Sequence, residues 1–128
     1  MKIAIILEDF SVRTRLAQNL QETDWAVDFF RNSLDFGRAH LSEYDVIISD
    51  ISINPIDGRQ ILNSIQDKTK AELYLMGNGS FSEKDIYNDH IKGLINKNDI
   101  KDFFDKINYV SVKKRLQHFA ATEIPQAI

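Results

Sequence analysis

Four residues whose side chains could do chemistry together are spread along the chain: the adjacent acids Glu8 and Asp9, the aspartate Asp50 and the lysine Lys97. Each acid site closes an apolar segment. One such carboxylate proves little, because aspartate is a common turn former. Two acid-terminated segments lying side by side are a different matter, since three carboxylates in one crevice repel each other unless a cation neutralises them. Magnesium suits that role because it favours carboxylate oxygens, water and phosphate over a closed protein cage. A lysine delivered to the same place could pair with the acids, or hold a phosphoryl oxygen as a compact point charge.

The segments that must position these groups read as buried strands. Lys2 to Leu7 (KIAIIL) and the run Val46, Ile47, Ile48 before Asp50 are apolar and β-branched, as in a parallel sheet covered on both faces. Trp25 to Phe30 (WAVDFF) carries Asp28 as its one charge and is predicted at a sheet edge. Leu73 to Met76 and Gly93 to Asn96 complete five strands, near residues 2–7, 25–30, 45–50, 72–76 and 93–96. Five helices alternate with them, which the right-handed crossover rule assembles into an α/β, doubly wound, five-stranded parallel sheet. Ligands of such sheets bind outside the carboxyl ends of the strands, where Asp50 stands.

Ser11 is expected to cap the first helix, which buries Val12, Leu16 and Leu20 at helical spacing. The second starts at Ser33, contains Phe36, Ala39 and Leu41, and is weakened by Gly37. Arg59 to Gln66 forms the third, with Ile61, Leu62 and Ile65 inward. Ser82 with Asp85 resembles a capping box for a fourth running to about Ile91. Asp99 opens the last, with Ile100, Phe103, Phe104, Ile107 and Val110 inward. Lys113, Lys114 and Arg115 are expected to complement its negative carboxyl end. Ala121 to Ile128 contains Pro125 and is expected to fray.

Composition narrows the function. The 128 residues form one domain, expected at 1–120 with a tail at 121–128. A net charge of −3 provides no basic footprint for nucleic acid or an anionic membrane. There is no cysteine, so thiolate metal sites and disulfides are excluded. No apolar run is long enough for a membrane span and no signal sequence opens the chain, so a soluble cytoplasmic protein is expected. The two glycines of Gly77 to Gly79 lack the lysine-serine pair or longer glycine fingerprint of a nucleotide site. His40, His90 and His118 are distant from the acids and read as surface or half-buried residues.

The order and spacing of acidic pair, aspartate, Asp57-Gly58 and late lysine resembles the receiver domain of two-component response regulators, chemotaxis-Y-like, over about residues 1 to 118. That resemblance implies a flavodoxin-like strand order of 2-1-3-4-5. It implies Asp50 as phospho-acceptor and Lys97 as the contact to a phosphoryl oxygen. It also implies Mg²⁺ held by Asp9 and Asp50 directly, by Glu8 through water and by the backbone carbonyl of Ser52. The donor would be a histidine kinase or a histidine phosphotransfer protein in a phosphorelay, and the output an unknown downstream protein. A homodimer through the fourth and fifth helices is a further expectation. The domain would not be an enzyme beyond phosphorylating and dephosphorylating itself at Asp50.

Two switch positions depart from the family pattern. The usual hydroxyl at the end of the fourth strand is replaced by Gly77, and the usual fifth-strand aromatic by Leu94. Pro55 also falls one place later than the family's proline. These departures keep open a receiver-like interaction module that works without phosphorylation. An aspartate-nucleophile phosphohydrolase fits less well, because Ser52 stands where those enzymes carry a second aspartate.

Overall fold

The structure, a computed structural model, describes residues 1–82, 84, 86 and 89–123. Five parallel strands form one sheet in the order β2-β1-β3-β4-β5. They are β1 (Lys2–Ile6), β2 (Ala26–Phe30), β3 (Val46–Asp50), β4 (Glu72–Gly77) and β5 (Ile91–Asn96). Their register sets Ile6 beside Ser49, Asp50 beside Met76 and Gly77 beside Asn96. The carboxyl ends of the central strands therefore finish together. Asp28 lies on the edge strand β2, as its charge predicts.

Side-chain alternation along the strands splits the core into two layers. Ile3, Ile5, Val46, Ile48 and Met76 pack against Val12, Leu16 and Leu20 of α1 (Phe10–Leu20) and Phe103, Ile107 and Val110 of α4 (Ile100–Glu123). Ala4, Ile6, Ile47 and Leu75 face the other way. They meet Phe36 of α2 (Ser33–Phe36) and Ile61, Leu62 and Ile65 of α3 (Gly58–Ile65). A 3-10 turn, Leu41–Glu43, links α2 to β3.

The helix ends differ from expectation for local reasons. Asp9, not Ser11, caps α1 by accepting from the Ser11 and Val12 amides, because a carboxylate one residue ahead of the helix outcompetes a hydroxyl inside it. Asn32 caps α2, which stops at Phe36, so Ala39 and Leu41 lie beyond it. Asp57 and Gln60 form a reciprocal capping box that starts α3 at Gly58, one residue earlier than predicted. Four α-helices are found among the described residues, not five. The predicted fourth falls partly on residues 83, 85, 87 and 88, outside those described, and its expected end, Ile91, opens β5 instead.

The last helix is longer than expected and reaches Glu123; residues 124–128 lie outside those described. Lys113 and Lys114 are consequently not in its final turn. Lys113 pairs with Glu72 and Lys114 with Asp45 at 3.6 Å, at the amino ends of β4 and β3. Arg115 is exposed. The two lysines tie α4 to the sheet and do not serve a helix terminus.

Candidate functional site

Asp50 is the last residue of β3 and only 2% exposed. Its parity with Val46 and Ile48 directs it to the layer of α1 and α4. A buried carboxylate must be paired or hydrogen-bonded, and Asp50 is both. The Ser52 amide donates to Oδ1 at 3.1 Å, and the Lys97 ammonium lies 3.2 Å from Oδ2. Lys97, which alone would be a solvated loop residue, is thus brought to the acceptor across a sequence separation of 47 residues. Its side chain is 15% exposed, so the ion pair is shielded from solvent screening.

The lysine is fixed at its main chain as well. Its amide donates to the Gly77 carbonyl at 2.9 Å. Its own carbonyl accepts from Nη2 of Arg15 at 2.7 Å, reaching across from α1. The periodicity of α1 marks Arg15 only as a solvent-facing position, so nothing in the sequence signals this contact. Downstream, the Asn96 amide donates to Asp102 at 2.8 Å, and Lys106 pairs with the same carboxylate at 2.6 Å. Burial pushes the Asp102 carboxyl up, but Lys106 and the Asn96 amide together outweigh it and hold the group below its ordinary value. Asp99 caps α4 by accepting from the Lys101 and Asp102 amides.

Gly58 is required here by close approach. A Cβ on it would stand 2.3 Å from the Asp50 carbonyl oxygen, 2.8 Å from that carbonyl carbon and 3.0 Å from Ser49 Oγ. The start of α3 therefore rests directly on the backbone of the acceptor residue, and the Gly58 amide donates to Ile51 O at 3.1 Å. The Asp-Gly pair reads as turn chemistry in the sequence. Its second role as a spacer emerges only when α3 is laid against β3.

The acidic pair behaves differently from expectation. Glu8 and Asp9 are exposed at the end of β1. Among the described residues no group of three or more His, Cys, Asp or Glu side chains is placed to hold a metal ion, so Glu8, Asp9 and Asp50 do not converge into a cage. Asp9 Oδ1 is engaged in the α1 cap and Asp50 Oδ2 with Lys97. The donors remain of the right kind. Hard carboxylate oxygens end two adjacent strands, and Mg²⁺ needs only one or two carboxylates when water and phosphate complete its shell.

The switch positions are also resolved. Gly77 ends β4, and a Cβ there would come within 2.9 Å of Phe81 Cδ2 and 3.4 Å of Ile51 Cδ1. The ring of Phe81 thus occupies space beside the strand end where a hydroxyl-bearing side chain would project. Leu94 pairs with Leu75 across the sheet and packs, half-buried, against the core layer of Ile47, Leu73 and Leu75. Gly79 faces open space, and Ser80 bonds to Asn78 within the loop. No described helix is long and apolar enough to cross a membrane.

No family model matches the chain. Among curated proteins it is 33% identical over 96 residues to the transcriptional regulatory protein PcoR of Escherichia coli, covering 73% of this chain and 41% of that protein. The chain therefore spans less than half the length of this relative. Solved structures align over nearly all of their own length. A two-component response regulator from Clostridium difficile superposes with a TM-score of 0.78 at 20% identity, covering 89% of this chain and 98% of that one. A response regulator receiver domain protein from Clostridium thermocellum gives 0.76 at 18% identity, over 91% and 98%. The response regulator TrrA from Thermotoga maritima, solved in complex with Mg²⁺ and BeF, gives 0.68 at 24% identity, over 88% and 96%. With its strand order, its paired aspartate and lysine at the sheet's carboxyl edge and these similarities, the chain has the receiver-domain fold of the response regulators.

Proposed function

We propose that this chain is a phosphorylatable receiver module of a two-component system, accepting a phosphoryl group on Asp50 from a histidine kinase or a histidine phosphotransfer protein. The observation that supports it most is the buried Asp50 carboxylate held between the Ser52 amide and the Lys97 ammonium at the carboxyl edge of the sheet. In the reaction an Asp50 carboxylate oxygen forms a bond to phosphorus as the phosphorus–nitrogen bond of a phosphohistidine breaks. The electron pair leaves with the imidazole, which takes a proton. Lys97 need travel only from Asp50 Oδ2 to a phosphoryl oxygen, so positive charge follows the negative charge through the transfer. Asp9 and Asp50, with Glu8 through water and the Ser52 carbonyl, would hold Mg²⁺, which when bound neutralises charge on the transferring oxygens.

Intact-mass spectrometry after incubation with Mg²⁺ and acetyl phosphate tests the proposal. One added phosphoryl group is expected, absent in Asp50→Asn and much slowed in Lys97→Ala. Calorimetry tests the metal, with Asp9→Asn expected to weaken Mg²⁺ binding far more than Glu43→Gln. Trp25 fluorescence would be a poor substitute, since the ring lies just before the amino end of β2, away from the carboxyl ends of the strands, and stacks on Phe104. Because Ser52 and Gly79 beside the phosphoryl position are small and Gly77 offers no hydroxyl to hold the phosphoryl oxygens, the phosphoprotein is expected to be short-lived.

One observation favours a second reading, an interaction module whose output is independent of phosphorylation. Phe81 packs over Gly77, and Leu94 has neither ring nor polar tip, so the usual hydroxyl-to-aromatic relay has no parts. A folded wild-type protein that takes up no phosphoryl group would establish this alternative. In either reading the proposed partner surface is the outer side of α4. There Tyr109, Val112, Leu116 and Phe119 are 45–65% exposed at spacings of three and four, opposite the buried Phe103, Ile107 and Val110. That stripe would serve a downstream protein or a second copy, and the expected contribution of a preceding helix lies outside the described residues.

A further inference from the structure

The layer of α2 and α3 does not close over the sheet. Because α2 ends after four residues and Gly37 follows, a cavity of about 340 Å³ remains between the segment after α2 and the flank of α3. Its walls are apolar, with Phe36 and Leu41 on one side and Ile61 and Ile65 on the other. Ile56, 44% exposed, stands at its edge from the loop that joins Asp50 to α3. Four polar side chains break this lining, Gln60 and Ser64 from α3 together with Ser33 and Lys68. The Ser33 hydroxyl oxygen is buried and has no hydrogen-bond partner. Lys68 stands at the rim, exposed, and among the described residues no carboxylate lies within ion-pair distance of it.

An apolar hollow of this size with a few polar groups is the form that small-molecule sites take, roughly 300–1,000 Å³. A buried hydroxyl left without a partner is unusual in a folded protein and calls for a group to complete it. A solvated cation at the rim favours an anionic end on that group. We propose that the cavity between α2 and α3 binds a compact ligand with an aromatic or branched apolar body and an anionic end. The body lies against Phe36, Ile61 and Ile65, the Ser33 hydroxyl donates to the ligand, and Lys68 pairs with its charge. The Ile56 contact places the ligand on the same loop whose Ser52 amide holds Asp50 Oδ1.

Three probes sharing one ring system test this without any phosphodonor: 1-naphthoate, 1-naphthylmethanol and 1-naphthylammonium, followed by amide chemical shifts of the intact chain. Naphthoate is expected to bind tightest and to shift residues 33–41 and 56–65. Ser33→Ala and Lys68→Gln should each weaken naphthoate about tenfold, as for a lost hydrogen bond to a charged group. Lys68→Gln should leave naphthylmethanol unchanged. Ile65→Ala checks the apolar wall, with thermal melting to show that each variant is folded. Equal affinity for the three probes, shifts centred on Val112 and Leu116 of α4, or no saturable binding would overturn the inference. Binding that persists in Asp50→Asn keeps the result separate from the fate of the phosphorylation proposal.

Discussion

Replacing Lys97 by methionine removes the cation but keeps most of the side chain's bulk, so its effect reports the charge pair. The Asp50 side chain is 3% exposed and that of Lys97 15%, and they lie 3.2 Å apart. Breaking a buried pair by deleting one partner costs about 3–5 kcal/mol, because the other charge is left uncompensated. Here the Ser52 amide still donates to Asp50, and the site opens at the sheet's edge, so the lower end, about 3 kcal/mol, is expected. For a chain of this size that corresponds to a fall of roughly 10 °C in Tm. The decisive comparison is the double variant Asp50→Asn/Lys97→Met, in which no charge remains to be compensated. It should recover at least half of the loss, while Asp50→Asn alone should destabilise by less than Lys97→Met, because the surviving Lys97 ammonium, 15% exposed, can turn to solvent on its flexible stem. Urea denaturation of the four proteins at one pH closes the cycle. A loss below about 1 kcal/mol in the single variant, or no recovery in the double, would show that the pair is not buried as described.

Other perturbations address other parts of the site. Gly58→Ala should destabilise by about 2–4 kcal/mol and slow phosphorylation, because a 2.3 Å approach to the Asp50 carbonyl forces α3 and the acceptor strand apart; a melting curve matching wild type would contradict that contact. Arg15→Ala should leave Tm within about 2 °C but slow phosphoryl uptake, because it frees the Lys97 carbonyl; an unchanged rate in single-turnover assays refutes the positioning role. Asp102 has a folded-state pKa below its ordinary value, so its contribution is present above the unfolded pKa and fades as pH falls through the folded one. Lys106→Met should therefore lose stability at pH 7 but little near pH 2, measured by urea denaturation at the two pH values.

Much of this arrangement was legible because the chemistry and the fold use the same signal. The β-branched runs that mark buried parallel strands also mark where each strand ends, so Asp50 and Lys97 could be placed at one edge before any contact was known. Helix starts were harder. Serine and aspartate both suit an N-cap, and the choice of Asp9 over Ser11 is a two-residue shift of the helix start that periodicity does not record. Arg15 reads as an ordinary solvent-facing base and Lys113 as a complement to a helix carboxyl end, because their partners, the Lys97 carbonyl and Glu72, are 82 and 41 residues away. Phe81 lay hidden for a similar reason. Its packing on Gly77 depends on how the loop after β4 folds back, and turn residues specify that a chain bends more firmly than where its next ring will land.

The length of α4 has a mechanical consequence. At 1.5 Å per residue its 24 residues run about 36 Å, roughly twice the length of a five- or six-residue strand. Lys113 and Lys114 pin it to Glu72 and Asp45 a little past its midpoint, which makes those two pairs a fulcrum. One arm, about 20 Å, ends three residues from Lys97, and the other, about 15 Å, carries Leu116 and Phe119 outward. Were α4 to pivot there as a rigid rod, a 1 Å displacement at the lysine end would become about 0.7 Å of opposite travel at the far tip. Mechanical leverage of this kind needs neither a hydroxyl at position 77 nor an aromatic ring at position 94.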